Sequence, residues 1–597
     1  MQSDKSPDHL SPTPTHHDLG DGQSKDKADA SHIDAATHQR ALDARHQQVA
    51  GLKGLFHDLK ILRITLLATL GGFLFGYDQG VVGNVLVLES FGAKFPRVYS
   101  DSGIKGWVVC TLLLGAWLGS LLSGPICDRF GRKRTIMFQV LLFLLGSALQ
   151  TGAQAESYLF GGRFVAGLSI GSLTHIVPMY IAELSPPNVR GSLVALQQLS
   201  ITLGILFSYW IAYGTSHIGG TRCAPEVPYT GPVSNGQPTF DPYHDVPAGG
   251  CTGQSVASWR IPVGIQMFPA LVLGFGMFWM PYSPRWLSEV GREDEALATL
   301  SYLRSRDIHD AAVVNEFLEI KAEVLVIREL RAERLGGKGG WMSRGLQPYA
   351  ELCSTKANRH RLFIGCVTMF YQQFIGCNTI IYYAPTIFAQ LGLDPNTTSL
   401  LATGVYGITN TLFTLPAVFF LDSVGRRPLL MIGATGCFVS LVMVGSLVAA
   451  FGHAWPSHVS AGRVAIAFVY IYDVFFSFSW APIGWVLPSE IFNLATRSTG
   501  VSITTSCTWM SNFIIGVVSP LMLSTIPNGG TYFFFAAFAV LGFLTTYFLM
   551  PETRLKTLEE MDELFGEITS ESDKAVIARV RGDLGLAETQ PQSAGMV

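Results

Sequence analysis

The residues best placed to do chemistry are amides and a few ionisable groups set into apolar surroundings. Gln372, Gln373 and Asn378 fall within two helical turns in Tyr371-Gln372-Gln373-Phe374-Ile375-Gly376-Cys377-Asn378-Thr379. An amide both donates and accepts, so the three could satisfy the paired hydroxyls of a sugar without adding charge. Hydrogen bonding between helices explains a single Gln in such a place; a group of three reads better as ligand contacts. Asp78 ends the run Gly72-Phe73-Leu74-Phe75-Gly76-Tyr77, and Arg163 sits in Gly161-Gly162-Arg163-Phe164. Ionisable side chains in apolar runs are costly and ask for an explanation. On a helix, Asp78 would lie ~21 Å from the inner end of its run, and Arg163 about one to two turns below the outer end of its own. The two depths agree, so an acid–base pair is feasible, either as a proton-coupled switch or as a permanent salt bridge. His175 reads as an interhelical hydrogen-bonder rather than a proton relay. Asp473, towards the outer end of its run, reads as facing an aqueous vestibule.

Those residues need long apolar helices to hold them. Of 597 residues 48% are hydrophobic and only 14% charged, and the apolar ones fall in long blocks rather than on stripes. The runs 136–153 and 533–550 carry no charge, and each is long enough to cross a hydrocarbon core of ~30 Å. Spans are expected near 64–83, 107–126, 135–154, 159–182, 192–213, 259–280, 362–388, 399–421, 429–451, 463–487, 500–523 and 531–550. Basic residues in the short loops, among them Arg129, Lys133, Arg134, Arg190, Arg285, Arg427 and Arg497, collect on one face. That face is cytoplasmic by the positive-inside rule, and an even number of spans puts both termini there.

This topology sorts the polar segments. Residues 1–60 read as a disordered cytoplasmic tail with no apolar core of a signal peptide. Segment 214–258 falls outside, where its Cys223 and Cys251 could pair. Asn396-Thr397-Thr398 also falls outside and is a glycosylation acceptor by pattern. Segment 285–361 falls inside as short charged helices. The nine Cys include no CxxC pair. No metal site, phosphate-binding loop or partnered nucleophile is evident, so an enzyme and a cofactor are not expected. A formal net charge of −3 and no basic soluble domain argue against nucleic acid.

The two sets of spans repeat one another. Asp128-Arg129-Phe130-Gly131-Arg132 follows the second span, and Asp422-Ser423-Val424-Gly425-Arg426 follows the eighth. Glu183 with Arg190 follows the fourth, and Glu490 with Arg497 follows the tenth, at the same separation. A doubled bundle with its site between the halves is a common architecture of secondary transporters.

With Pro281-Tyr282-Ser283-Pro284-Arg285-Trp286 and Pro551-Glu552-Thr553-Arg554, these motifs resemble the signatures of the sugar porters of the major facilitator superfamily, over about residues 62–566. The resemblance implies an all-α membrane protein of twelve transmembrane helices in two six-helix halves. Residues 61–284 and 362–550 would form the halves, 285–361 a cytoplasmic linker and 551–597 a cytoplasmic tail. Sugar contacts carried over by the match are Gln198, Gln372, Gln373, Asn378, Asn410, Tyr383, Phe476 and Trp485, with Gln197 beside Gln198. Asp78 and Arg163 would couple a proton. Asp128, Arg132, Glu183, Arg190, Arg426, Glu490 and Arg497 would gate the inner face, with Arg132, Glu183, Arg426 and Glu490 lying together as partly solvated ion pairs. Thr508 departs from the pattern, since many members place Asn beside the residue equivalent to Trp509. The implied function is monosaccharide carriage, a hexose–proton symport of fungal type, by a monomer in the plasma membrane. Its partners would be the sugar, a proton and the bilayer. Passive facilitation, a disaccharide, polyol or inositol cargo, and a non-transporting sugar sensor are the alternatives.

Overall fold

The computed structural model describes residues 59–586, apart from 187–189, 235–236, 336–348, 351, 392, 394–397, 453–454, 493–495, 554–560, 562–563 and 567–570. The expected tail 1–60, all but its last two residues, and Asn396 therefore lie outside the described residues, as does the side chain of Arg190.

Among the described residues, nine helices are long and apolar enough to cross a membrane. They are Leu59–Val85, Ser102–Phe130, Arg132–Thr151, Glu156–Leu184, Leu193–Ser216, Arg426–Phe451, Val459–Ile491, Arg497–Thr525 and Gly530–Leu549. The other three expected spans are helical too. The sixth is divided into Ala257–Ile265 and Met267–Gly276. The seventh opens on Lys356, Arg359 and Arg361, and is split into Lys356–Phe374 and Cys377–Gln390 at Gly376, whose φ of 103° few other residues tolerate. The eighth is Thr398–Val424. The tenth is also broken, into Val459–Phe478 and Trp480–Ile491, about a non-helical Ser479.

Helix packing follows from small residues. Gly115 and Gly119 of the second span face Gly167 and Gly171 of the fourth so closely that a Cβ at any of them would strike the partner's backbone. Without a hydrophobic drive between helices in lipid, such backbone-to-backbone approach supplies the contact. The first six spans pack chiefly on one another and the last six do likewise. Across the seam the second span meets the eleventh, the fifth meets the eighth, and the first meets the outer arm of the seventh.

Outside the bundle, helices Pro284–Glu289, Glu293–Arg304 and Ala311–Leu335 follow the sixth span. The segment between the fifth and sixth spans is folded, with a two-residue antiparallel pair, Val233–Ser234 with Gln237–Pro238, and a Cys223–Cys251 disulfide. It is fastened to the short helix Glu89–Lys94 that follows the first span by Glu89, which accepts from Cys223 N at 2.6 Å and from the Tyr229 hydroxyl.

Candidate substrate site

The break at Gly376 brings the seventh-span amides together. Gln372 Nε2 donates to the carbonyls of Trp480 and Ala481 at 3.1 and 3.0 Å, in the first turn of the inner arm of the tenth span. Gln373 Nε2 donates to Gln372 Oε1 at 3.1 Å, and Asn378 Nδ2 donates to Gln373 Oε1. The chain of amides then crosses the seam, because Gln79 Nε2 of the first span donates to Asn378 Oδ1 and, at 3.2 Å, to the Tyr382 hydroxyl. All four amides are buried. Each can exchange a partner amide for a ligand hydroxyl with little change in its own hydrogen bonding.

Around this chain the expected contacts divide. Gln198 is buried in the fifth span; its neighbour Gln197 is enclosed against Gly72 with both amide atoms unpaired, a free donor and acceptor inside the bundle. Trp485 is partly buried, whereas Trp480 is fully enclosed and donates its ring N–H to Leu430 O at 3.1 Å. Phe476 stacks on Tyr472 at 6.1 Å between centroids. The Tyr383 hydroxyl donates to Gly516 O at 3.0 Å and thereby ties the seventh span to the eleventh. Asn410 Nδ2 is occupied by Asp473 Oδ1 at 2.7 Å and Ser477 Oγ at 3.1 Å. Thr508 turns its hydroxyl back on Thr504 O at 3.3 Å, while Trp509 meets Phe75 edge-on and donates to Thr174 Oγ1 at 3.2 Å.

Sequence reasoning passed over Gln79, Tyr382 and Asn512. Gln79 lay beside the more conspicuous Asp78. Asn512, one turn beyond Thr508, is buried with its side chain towards Tyr382. Its polarity in an apolar run was the available signal.

Asp78 is wholly enclosed and Arg163 almost so, with Arg163 Nη2 3.5 Å from Asp78 Oδ2. Arg163 also reaches Gln150 Oε1 at 3.4 Å and Val109 O at 3.5 Å. Every contact is at the long limit of a hydrogen bond, so the guanidinium is shared rather than clamped.

At the inner ends, the two Arg–Glu pairs among the described residues each close inside their own set of helices. Arg132 Nη2 is 2.8 Å from Glu183 Oε1, and Arg426 Nη2 is 2.6 Å from Glu490 Oε1. Arg132 also has Asp128 at 3.6 Å and Glu289, from the helix after the sixth span, at 3.7 Å. Glu289 was not expected in this group. The expectation of partly solvated pairs needs correction for the first, because the Arg132 and Glu183 side chains are only 3% and 9% exposed. Trp286 causes much of this: its ring covers Gly131 and its N–H donates to Asp128 O at 3.0 Å. The corresponding turn at Gly425 is covered instead by Glu552, which accepts from the backbone N–H of Arg426 and Arg427 at 3.0 and 3.1 Å. Thr553 beside it donates to Glu490 Oε2 at 2.8 Å. Arg497, partly buried, opens the eleventh span.

Two other expectations meet the structure here. Asp473 does not face a vestibule; it is fully buried between helices. His175 bonds on both ring nitrogens, to Ser123 Oγ at 2.7 Å and, across the seam, to Ser498 O at 3.1 Å.

The family model described as "Sugar (and other) transporter" matches residues 64–565. The chain belongs to this family, the sugar porters of the major facilitator superfamily. Among curated sugar porter relatives, it is 34% identical to an MFS glucose transporter of Aspergillus flavus, over 83% of this chain and 88% of the relative. It is 32% identical to a probable quinate permease of Neosartorya fischeri, over 87% and 91%. Among solved structures, the proton:xylose symporter XylE bound to 6-bromo-6-deoxy-D-glucose superposes with a TM-score of 0.65 at 27% identity, covering 85% of this chain and 99% of that one. This sugar porter is thus a multi-pass membrane transporter and not an enzyme.

Proposed function

We propose that this porter carries a neutral monosaccharide, a hexose in the first instance, across the plasma membrane by alternating access with proton symport. The observation that carries the reading is the amide chain Gln372–Gln373–Asn378–Gln79, which joins the two halves through neutral, exchangeable hydrogen bonds. A sugar entering between Gln79 and Asn378 would replace amide bonds with hydroxyl bonds and change how the halves are held together. Support for coupling comes from Asp78 and Arg163: protonating the acid would release the shared guanidinium. A relative that is a proton:xylose symporter supports a monosaccharide cargo and the proton. On this reading 61–284 and 362–550 move against each other as a monomer, both termini lie in the cytoplasm, and Asn396 is available to glycosylation outside.

A second reading is quinate transport, favoured by the relatives named quinate permeases. Quinate shares the ring hydroxyls but adds a carboxylate, which would require a cation, and Arg163 is the buried one nearest in kind. Passive facilitation, a disaccharide, polyol or inositol cargo, and a sensor that binds without transport complete the alternatives. Uptake of labelled glucose, xylose, a disaccharide, inositol and quinate into carrier-deficient cells, with and without a proton uncoupler, separates them. Hexose accumulation that the uncoupler collapses and Asp78→Asn abolishes is the expected result. Quinate uptake alone would overturn the cargo, equilibration indifferent to the uncoupler would overturn the coupling, and binding without uptake would overturn transport.

A further inference from the structure

Asp78 has Arg163 for a neighbour; Asp473, also fully enclosed within the spans, has a different environment. It lies on Val459–Phe478, the outer arm of the tenth span, and has no exposed surface. Oδ1 accepts from Asn410 Nδ2 at 2.7 Å and from Ser477 Oγ at 3.3 Å. Oδ2 has no hydrogen-bond partner, and neither does Asn410 Oδ1. The Tyr406 hydroxyl faces the carboxyl but stays outside hydrogen-bond geometry. Asp473 Oδ2 and Asn410 Oδ1 are therefore two buried acceptors to which no hydrogen bond is made.

The titratable groups around Asp473 are Tyr209 of the fifth span, Cys377 of the seventh, Tyr406 of the eighth and Cys437 of the ninth, with Tyr470 and Tyr472 on its own helix. Phenols and thiols of this kind are uncharged near neutrality. An ionised carboxylate enclosed by neutral groups bears its desolvation penalty without an ion-pair partner. A proton on Oδ2 removes that charge and gives the carboxyl an O–H that the facing Tyr406 hydroxyl can accept. A metal cation fits less well, because the Asn410 amide N–H already points at the carboxyl and would face the ion with like polarity.

We propose that Asp473 is a second proton-binding site of this transporter, occupied while the carboxyl is enclosed as it is here and emptied when movement of the tenth span admits water. Asn410 would report the proton to the eighth span, since its bond to the carboxyl becomes charge-assisted and stronger on deprotonation. The coupling consequence rests on the transport reading above; the protonation itself does not.

The test uses the full-length protein reconstituted in liposomes, with pH- and H/D-difference infrared spectra of wild type, Asp473→Asn, Asp473→Glu and Asp78→Asn. A protonated-carboxyl C=O band should be present at neutral pH, vanish in Asp473→Asn, reappear shifted in Asp473→Glu and persist in Asp78→Asn. The Glu variant keeps the assignment testable should the amide destabilise the helix. Identical carboxyl bands in wild type and Asp473→Asn would overturn the proposal, as would a carboxylate signature at this residue that responds to sodium ion. Loss of uncoupler-sensitive uptake in Asp78→Asn is read separately, so failure of the coupling reading and failure of this one cannot be confused.

Discussion

At the scale of single residues, the site is governed by the cost of leaving a polar atom unpaired in an apolar place. Gln372 has two carbonyl acceptors from the broken tenth span, which fix its amide and leave Oε1 for Gln373. Gln372→Ala removes this orienting amide. A hydrogen bond to an uncharged group contributes about 0.5–1.5 kcal/mol, so the half-saturating sugar concentration should rise roughly 2- to 10-fold. Concentration-dependent uptake by Gln372→Ala and Gln372→Glu checks this; an unchanged value in Gln372→Ala would remove the residue from the site. The seventh-span amides and Asp78 were legible in the sequence because they interrupt apolar runs. The Gln79 bridge was not, since nothing in sequence order pairs the first span with the seventh.

At the scale of elements, two terminal arrangements make distinct predictions. The helix Arg426–Phe451 begins after Gly425 at φ 102°, and the Glu552 carboxylate accepts its first backbone N–H groups. Capping of this kind by an anion at a helix N-terminus contributes about 1–2 kcal/mol. Glu552→Ala should therefore lower the thermal midpoint of the purified protein in detergent, and Glu552→Gln should lower it less. The segment between the fifth and sixth spans offers a pH dependence. Burial works to raise the Asp245 carboxyl, but donation from Asp241 N, from Thr230 N and from the Thr230 hydroxyl outweighs it and holds the group below the usual range. A depressed carboxyl stabilises the folded loop above its unfolded value of about 3.9 and loses that contribution as pH falls through its lower folded value. Protection of this loop against amide exchange, relative to the intrinsic rate at each pH, should fall as the pH is taken below about 4, and Asp245→Asn should abolish the added acid sensitivity. The doubled Asp/Gly/Arg motif announced both inner turns in sequence. That one is covered by Trp286 and the other by Glu552 depended on chain segments far away.

At the scale of the whole molecule, the inner ends of the two halves are joined mainly by neutral hydrogen bonds among those described. His175 reaches Ser498 O and Ser502 Oγ donates to Ser120 O at 2.8 Å, while the Tyr349 hydroxyl of the intervening linker donates to Leu121 O at 2.9 Å. Bonds of this strength suit a contact that must break in every cycle. The enclosed Arg132–Glu183 pair, by contrast, keeps one half rigid, because removing one partner of a buried pair costs about 3–5 kcal/mol. His175→Ala should weaken the inner closure by roughly one hydrogen bond, a 2- to 10-fold shift towards the inward-open arrangement. Cys127, buried at the inner end of the second span, provides the readout. Its modification by a thiol reagent applied from the cytoplasmic side, followed by mass spectrometry, should quicken by that factor. An unchanged rate would place the closure elsewhere.

The sequence by itself determined the membrane bundle, its duplication and most of the polar residues inside it, because hydrophobic length, charge bias and motif repetition are all local properties. It also identified the acid and base whose depths agree. Only the tertiary structure decided which polar groups meet. It linked Gln79 to Asn378 across the seam, confined each inner ion pair to its own half and turned Asp473 away from water into a neutral enclosure. Those outcomes depend on the rotation of each helix about its axis and on breaks at Gly376 and Ser479, which are set by packing against neighbours and leave no periodic trace in a chain that is apolar on nearly every face.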